Sequence, residues 1–265
     1  SWKSLLIFMS VMGPGIITAN VDNDAGGIAT YSVAGAHFGY SMLWIFIPMM
    51  IALIVIQEMC SRMGVVTGKG LADLIREKFG VKVTFYAMLV FLFSNLTNTI
   101  SEFSGIAASC EIFGISRYIS IPMAAVFVWW IVVKGTYKSV EKIFLGACLF
   151  YLAYVITGFR VQPQWKDVLK ETISPSFQFN KAFILMVMGI VGTTIAPWMQ
   201  FYQQSSVVEK GISIKDYRYA RLDVIIGGII VSIIAMFIVI SCAATLFKSG
   251  IRIESAKDAA LALEP

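Results

Sequence analysis

Two aspartates inside a strongly apolar chain are the residues whose types and spacing first suggest chemistry. The stretch TANVDNDAGGIATYS (Thr18 to Ser32) places Asp22 and Asp24 around Asn23, just ahead of the pair Gly26-Gly27. Carboxylates and exposed backbone carbonyls are hard oxygen ligands, the kind that hard cations prefer. An acidic residue at the centre of a membrane helix costs about 2.5–3.5 kcal/mol on insertion scales, and such residues usually line an ion or substrate path. A second polar interruption, GTTIAPW (Gly192 to Trp198), adds the hydroxyls of Thr193 and Thr194 and brings no thiol or imidazole. Broken-helix transporters hold a substrate carboxylate on helix N-termini, and acidic residues at the break disfavour that use. The expected cargo is a cation.

Other chemistries find little support. His37 is the single histidine, so no imidazole cluster can form. Cys60, Cys110, Cys148 and Cys242 are scattered without C-x-x-C spacing and read as small buried side chains. No His, Cys or Ser constellation points to an enzyme, and no cofactor is implied. The formal charge of +5 reflects loop lysines and arginines, and does not imply nucleic acid.

The elements that must position these residues are membrane helices. Of the 265 residues 58% are hydrophobic and 14% charged, with mean hydropathy +0.78. A soluble domain is nearer half apolar and a quarter charged, so the fold class is all-α and polytopic. Seven apolar segments can be drawn, at 5–38, 41–62, 83–113, 119–133, 143–159, 182–208 and 224–247. The first is too long for one straight span of ~20 residues, and its polar stretch divides it into two half-helices. Only the first and sixth are interrupted, and they lie five helices apart. Broken backbone in hydrocarbon survives only where protein or a water-filled cavity covers it, and paired interruptions in two halves mark a transporter site. The odd offset inverts the second half. A local kink, or a simple loop, is the plainer alternative; Pro197 alone would suit it, but the residues from Asp22 to Gly27 do not.

Two surface helices are also expected. GKGLADLIREKFG carries Leu71, Leu74, Ile75 and Phe79 at amphipathic spacing, and Trp165, Val168 and Leu169 mark a short interfacial helix. With the N-terminus inside, 13 of the 21 lysines and arginines fall on the cytoplasmic side, which favours that orientation. The expected location is the plasma membrane, as a monomer whose partners are the bilayer and a divalent ion. The chain is expected to be a portion of a longer protein.

GPGIITANVDNDAGGIAT followed by AGAHFGYSMLW resembles the first helix of the Nramp family of divalent metal transporters. GKGLADLIREKFG, TISEFSGIAAS and GIVGTTIAPWMQFYQQS resemble its second loop, third helix and sixth helix, so the likeness covers nearly the whole chain. The resemblance implies a LeuT-like fold of two inverted five-helix repeats. Here that means a first repeat over 1–160, a linker over 161–180, and an incomplete second repeat, helices six and seven, over 181–265.

The resemblance also assigns a site. Asp24 stands at the family's metal-binding aspartate, while Gly27 replaces its asparagine ligand and Ala196 its methionine. Thr193 takes the backbone-carbonyl position, Trp198 and Gln203 replace histidines, Thr99 replaces a third-helix acid, and Glu102 remains. Asp22, Gly26 and Gln200 are further pathway candidates. A thioether favours softer ions, so its loss at Ala196 removes a discrimination against hard ones. Mg2+ sheds water reluctantly and is held through one or two carboxylates with waters retained. A wider pocket of Asp24, Gly27, Thr193, Ala196 and Glu102 therefore fits hydrated Mg2+ first, with Mn2+ also carried, as in the Nramp-related magnesium branch. Because Trp198, Gln203 and Thr99 cannot exchange protons near neutral pH, transport is expected to be uncoupled, with Glu102 and Asp22 the possible relays. The alternatives are a proton-coupled Mn2+ or Fe2+ transporter, or an amino-acid or polyamine transporter of the same fold.

Structural readings suit the remaining polar residues. Glu58 pairs with Arg62 one turn on, and Asp223 with Arg221 at the interface. Asn95 and Asn98 are interhelical hydrogen-bond groups, and Gly105, Ala107 and Ala108 are packing positions.

Overall fold

A computed structural model describes residues 15, 21, 23–135, 146 and 148–250. Asp22, the first half-helix before it apart from Gly15 and Val21, and the start of the fifth apolar segment apart from Gly146 lie outside the described residues. The helices are α1 (Ala25–Phe38), α2 (Phe46–Thr67), α3 (Leu71–Ile112), α4 (Arg117–Lys134), α5 (Leu152–Arg160), α6 (Trp165–Ile173), α7 (Lys181–Thr194), α8 (Pro197–Glu209) and α9 (Tyr217–Cys242). Short 3-10 segments cover Gly39–Ile45, Cys148–Tyr151 and Ile214–Asp216, and a π-helical turn, Ala243–Phe247, extends α9.

Among the described residues five stretches are long and apolar enough to cross a membrane, with Leu149–Arg160 a shorter apolar helix. The seven expected segments map onto them unequally. The remainder of the first and the whole of the second form one stretch, Ala25–Thr67, joined through Gly39–Ile45. Gly39, at φ 59°, ends α1, and its N–H returns to the Gly35 carbonyl. Pro48 sits in the first turn of α2, where its missing N–H costs nothing. The amphipathic helix expected at Leu71–Phe79 is present as the first part of α3. Gly80, non-helical at φ 80° and ψ 174°, separates it from the third span. The sixth segment breaks as expected: α7 ends at Thr194, Ala196 is extended at ψ 142°, and Pro197 opens α8.

The chain divides into two compact units. One comprises 1–22, 50–98 and 195–231; the other comprises 23–49, 99–194 and 232–265. Both helix interruptions coincide with points where the chain leaves one unit for the other.

In the second unit α1 packs on α7 and on the Ala243–Phe247 turn, while α6 packs on Gly39–Ile45. Small residues allow this closeness: a Cβ on Gly35 would lie 2.5 Å from the Val239 carbonyl oxygen. Val168 of α6 is buried, whereas Trp165 stacks on Phe159 at 5.2 Å and Leu169 is exposed. In the first unit Leu53, Met199 and Val231 form a buried cluster against which Ala196 and Trp198 pack. Large apolar side chains cover the outside of α3 and α4, with Val90 at 70% and Met123 at 67% exposure. Such a surface suits hydrocarbon rather than water.

Candidate metal centre

Asp24 owes its position to helix geometry. It is the N-cap of α1: its Oδ1 accepts from the Gly27 N–H at 2.6 Å, and its carbonyl accepts from Ile28 N–H at 2.8 Å. An N-cap carboxylate satisfies a spare first-turn donor and sits at the positive end of the helix dipole. The chain is non-helical at Asn23 and Asp24, whereas Gly26 and Gly27 lie within the first turn of α1. The glycine pair therefore does not itself unwind the backbone. What Gly26 does is leave space, since a Cβ there would meet Asp24 Oδ1 at 3.4 Å and Ser101 Oγ at 3.5 Å.

Glu102 reaches the same place from α3. Its Oε2 accepts from the Ala25 N–H at 3.4 Å, which sets its carboxyl group beside that of Asp24. The other oxygen, Oε1, is buried without a partner among the described residues. Gly105, three residues further along α3, permits the approach: a Cβ there would lie 2.5 Å from Ala25 Cβ. Two adjacent carboxyl groups in a low-dielectric setting repel as anions, and a cation between them offsets that cost.

Asn23 is the residue that sequence reasoning undervalued. Its side chain is fully buried, and both amide atoms lack a partner among the described residues. Leaving a buried polar group unpaired costs about 1–3 kcal/mol, so this amide asks for a ligand or water. The Asn23 carbonyl accepts from Tyr151 Oη at 2.8 Å, which fixes the non-helical backbone just before Asp24. Tyr151 gave no signal in sequence beyond being a tyrosine in an apolar segment.

At the second interruption Tyr31 Oη and Thr194 Oγ1 are 2.9 Å apart, and Thr194 Oγ1 also donates to the Ile190 carbonyl at 2.8 Å. Thr194 thus holds structure. Thr193, half-buried in the last turn of α7, makes no side-chain hydrogen bond among the described residues. Asp24, Gly26, Gly27, Thr193 and Glu102 all belong to the second compact unit. Thr99 belongs there too, with its side chain exposed.

Ala196, Trp198, Gln200 and Gln203 belong to the first unit. Trp198 Nε1 is buried without a hydrogen-bond partner among the described residues, Gln203 is buried, and Gln200 is half-buried. In that unit Glu58 pairs with Arg62 at 3.9 Å, as expected, and also accepts from Tyr217 Oη. Asp223 departs from its expected role. It is buried, and its Oδ2 accepts from the Gly15 N–H at 2.6 Å rather than pairing with exposed Arg221.

A family model described as "Natural resistance-associated macrophage protein-like" (Nramp) matches residues 15–265. The chain belongs to the Nramp family. Two Nramp relatives are named divalent metal cation transporter MntH. The one from Erwinia tasmaniensis is 30% identical over 253 residues, spanning 92% of this chain and 60% of the relative. The one from Bacillus subtilis is 27% identical over 264 residues, spanning 96% and 61%. The chain thus spans about 60% of the length of these relatives. A crystal structure of the Eremococcus coleocola manganese transporter, bound to an aromatic bis-isothiourea compound, superposes with TM-score 0.75 at 20% identity. It covers 99% of this chain and 62% of that one. The fold is that of the Nramp transporters, the LeuT-like architecture that the family resemblance implied.

Proposed function

We propose that this Nramp chain carries the first part of a divalent-cation transporter, with hydrated Mg2+ as its preferred cargo and Mn2+ also accepted. The observation that carries the reading is the approach of Glu102 to Asp24, whose chain neighbour Asn23 has a buried amide without a partner among the described residues. These are oxygen donors. Ala196, at the position of the family's thioether ligand, offers no side-chain ligand atom at all. Mg2+ is commonly bound by one or two carboxylates with several waters kept, and a site with glycine at Gly26 and Gly27 leaves volume for those waters.

Asp24 supplies charge, Asn23 and Thr193 supply neutral oxygens, and Glu102 completes the carboxylate pair. Trp198, Gln200 and Gln203 are the further pathway residues of this reading. The cargo moves by alternating access, with residues 1–160 as one repeat and 181–265 as the start of its inverted counterpart, joined by 161–180. Uptake is uncoupled from protons and driven by the ion gradient and the membrane potential. The potential is worth about 2.3 kcal/mol per charge per 100 mV, hence roughly twice that for a divalent ion crossing the full field. The protein works as a plasma-membrane monomer with its N-terminus cytoplasmic.

A second reading is proton-coupled Mn2+ transport. It draws on the MntH relatives and the manganese transporter of like fold, and on Glu102, a protonatable group beside Asp24. Liposomes holding the purified protein separate the two when Mg2+ and Mn2+ uptake are followed with internal pH. Uptake of both ions without acidification is expected, and Glu102→Gln should slow uptake while leaving internal pH flat. Mn2+ entry without Mg2+ would overturn the selectivity, and acidification abolished by Glu102→Gln would establish the coupled reading.

A further inference from the structure

Away from the metal centre, α2 and α9 enclose a cavity of about 350 Å3 inside the first compact unit. Its lining includes Val55, Glu58, Arg62, Tyr217, Arg221 and Ile225. Both arginines lie near helix ends: Arg62 is five residues before the end of α2, and Arg221 four after the start of α9. That is the level at which helices meet a bilayer surface.

The charges in this cavity do not cancel. Glu58 is engaged twice, by Tyr217 Oη on one oxygen and by Arg62 at 3.9 Å on the other. The Arg62 side chain is 56% exposed against 17% for Glu58, and the one contact between them is a long 3.9 Å. Asp223, the acid nearest to Arg221 in sequence, is buried and bonded to the Gly15 N–H, and Arg221 forms no ion pair among the described residues. The cavity thus holds two guanidinium groups and one carboxylate. A guanidinium presents donors in a rigid fork that matches a phosphate.

The other half of the cavity is apolar and continuous with a lipid-facing stripe. Ile51, Val55 and Met59 recur every four residues on α2 and are 57%, 50% and 45% exposed. Residues at that spacing share one helix face. The stripe runs from the arginine end toward the middle of the helix, the path an acyl chain takes below its headgroup. A free inorganic anion would use the arginines and leave this surface unexplained.

We propose that this cavity is a binding site for an anionic phospholipid, with the headgroup phosphate held between Arg62 and Arg221 and an acyl chain laid along Met59, Val55 and Ile51. Basic pockets between membrane helices bind lipid phosphates in this way. Glu58 limits affinity by competing for Arg62, and Tyr217 holds Glu58 in place.

The test is native mass spectrometry of the purified, detergent-solubilised protein mixed with phosphatidylglycerol or phosphatidylcholine. Phosphatidylglycerol should be retained preferentially, and Arg62→Gln and Arg221→Gln should each lower retention about fivefold. Single changes elsewhere that remove the same charge, Lys134→Gln or Arg160→Gln, should leave retention within about twofold. Glu58→Gln should raise retention, and Val55→Trp, with both arginines intact, should lower it. These last two variants decide the matter if the arginine variants fail to fold. Equal retention of both lipids, no loss in the arginine variants, or no effect of Val55→Trp would overturn the proposal. Displacement of phosphatidylglycerol by inorganic phosphate alone would also overturn it, in favour of a free-anion site.

Discussion

Tyr31 Oη and Thr194 Oγ1 lie 2.9 Å apart, so the helix that begins at the first interruption is tied to the helix that ends at the second. Tyr31 is fully buried and meets Phe46 edge to face at 5.5 Å, which fixes its ring. Tyr31→Phe keeps that packing and removes one hydrogen bond, while Thr194 retains its bond to the Ile190 carbonyl. The expected cost is about 1 kcal/mol in thermal or denaturant unfolding. A larger loss would mean that the hydroxyl supports more than this link.

Asp24 both caps a helix and, in the proposed reading, holds the ion. Asparagine caps as well as aspartate, so Asp24→Asn should keep stability within about 0.5 kcal/mol. Metal uptake should nevertheless fall about tenfold or more, because the charge is gone while the oxygen remains. Uptake at the unsubstituted rate would remove Asp24 from the site.

Gly105 and Ala25 test the closeness of α3 to α1. Gly105→Ala places a methyl group 2.5 Å from Ala25 Cβ and should cost about 1–3 kcal/mol, with reduced uptake as Glu102 is drawn away. Adding Ala25→Gly removes the clash and should restore uptake, less a small helix-propensity loss. Failure of that rescue would show that Gly105 serves another neighbour.

Asn23 separates stability from function. Asn23→Leu replaces an unpartnered buried amide by an apolar group of similar size, a change that is neutral or stabilising where no hydrogen bond is lost. The melting temperature should stay level or rise, while uptake falls and the ratio of Mg2+ to Mn2+ transport changes. A loss of stability would show that the amide is satisfied by ordered water belonging to the fold.

The two interruptions are legible in sequence because polar and glycine residues inside a long apolar run are costly to insert and persist where they are covered or used. Their local geometry is less so. Gly26-Gly27 has the composition of an unwinding point, yet a first-turn amide captured by Asp24 lets the helix start immediately after it. Gly80 has the place of a surface helix's last residue, and its non-helical φ and ψ do end that helix before the third span. Asp223 looks interfacial because a helix begins nearby, but the Gly15 N–H, 208 positions earlier, satisfies it inside the fold. Contacts of that range carry no periodic signal. The same holds for Tyr151, whose hydroxyl fixes the carbonyl of Asn23.

The capping bond from Gly27 to Asp24 gives the protein a built-in reporter. An ion drawing charge from this carboxylate weakens its hold on the Gly27 amide, and thermodynamic reciprocity requires that loosening the first turn of α1 alter affinity for the ion by the same factor. Cargo binding and the order of one helical turn become two readings of a single equilibrium. Hydrogen exchange at the Gly27 amide would therefore register loading of the site, without any measurement of transport.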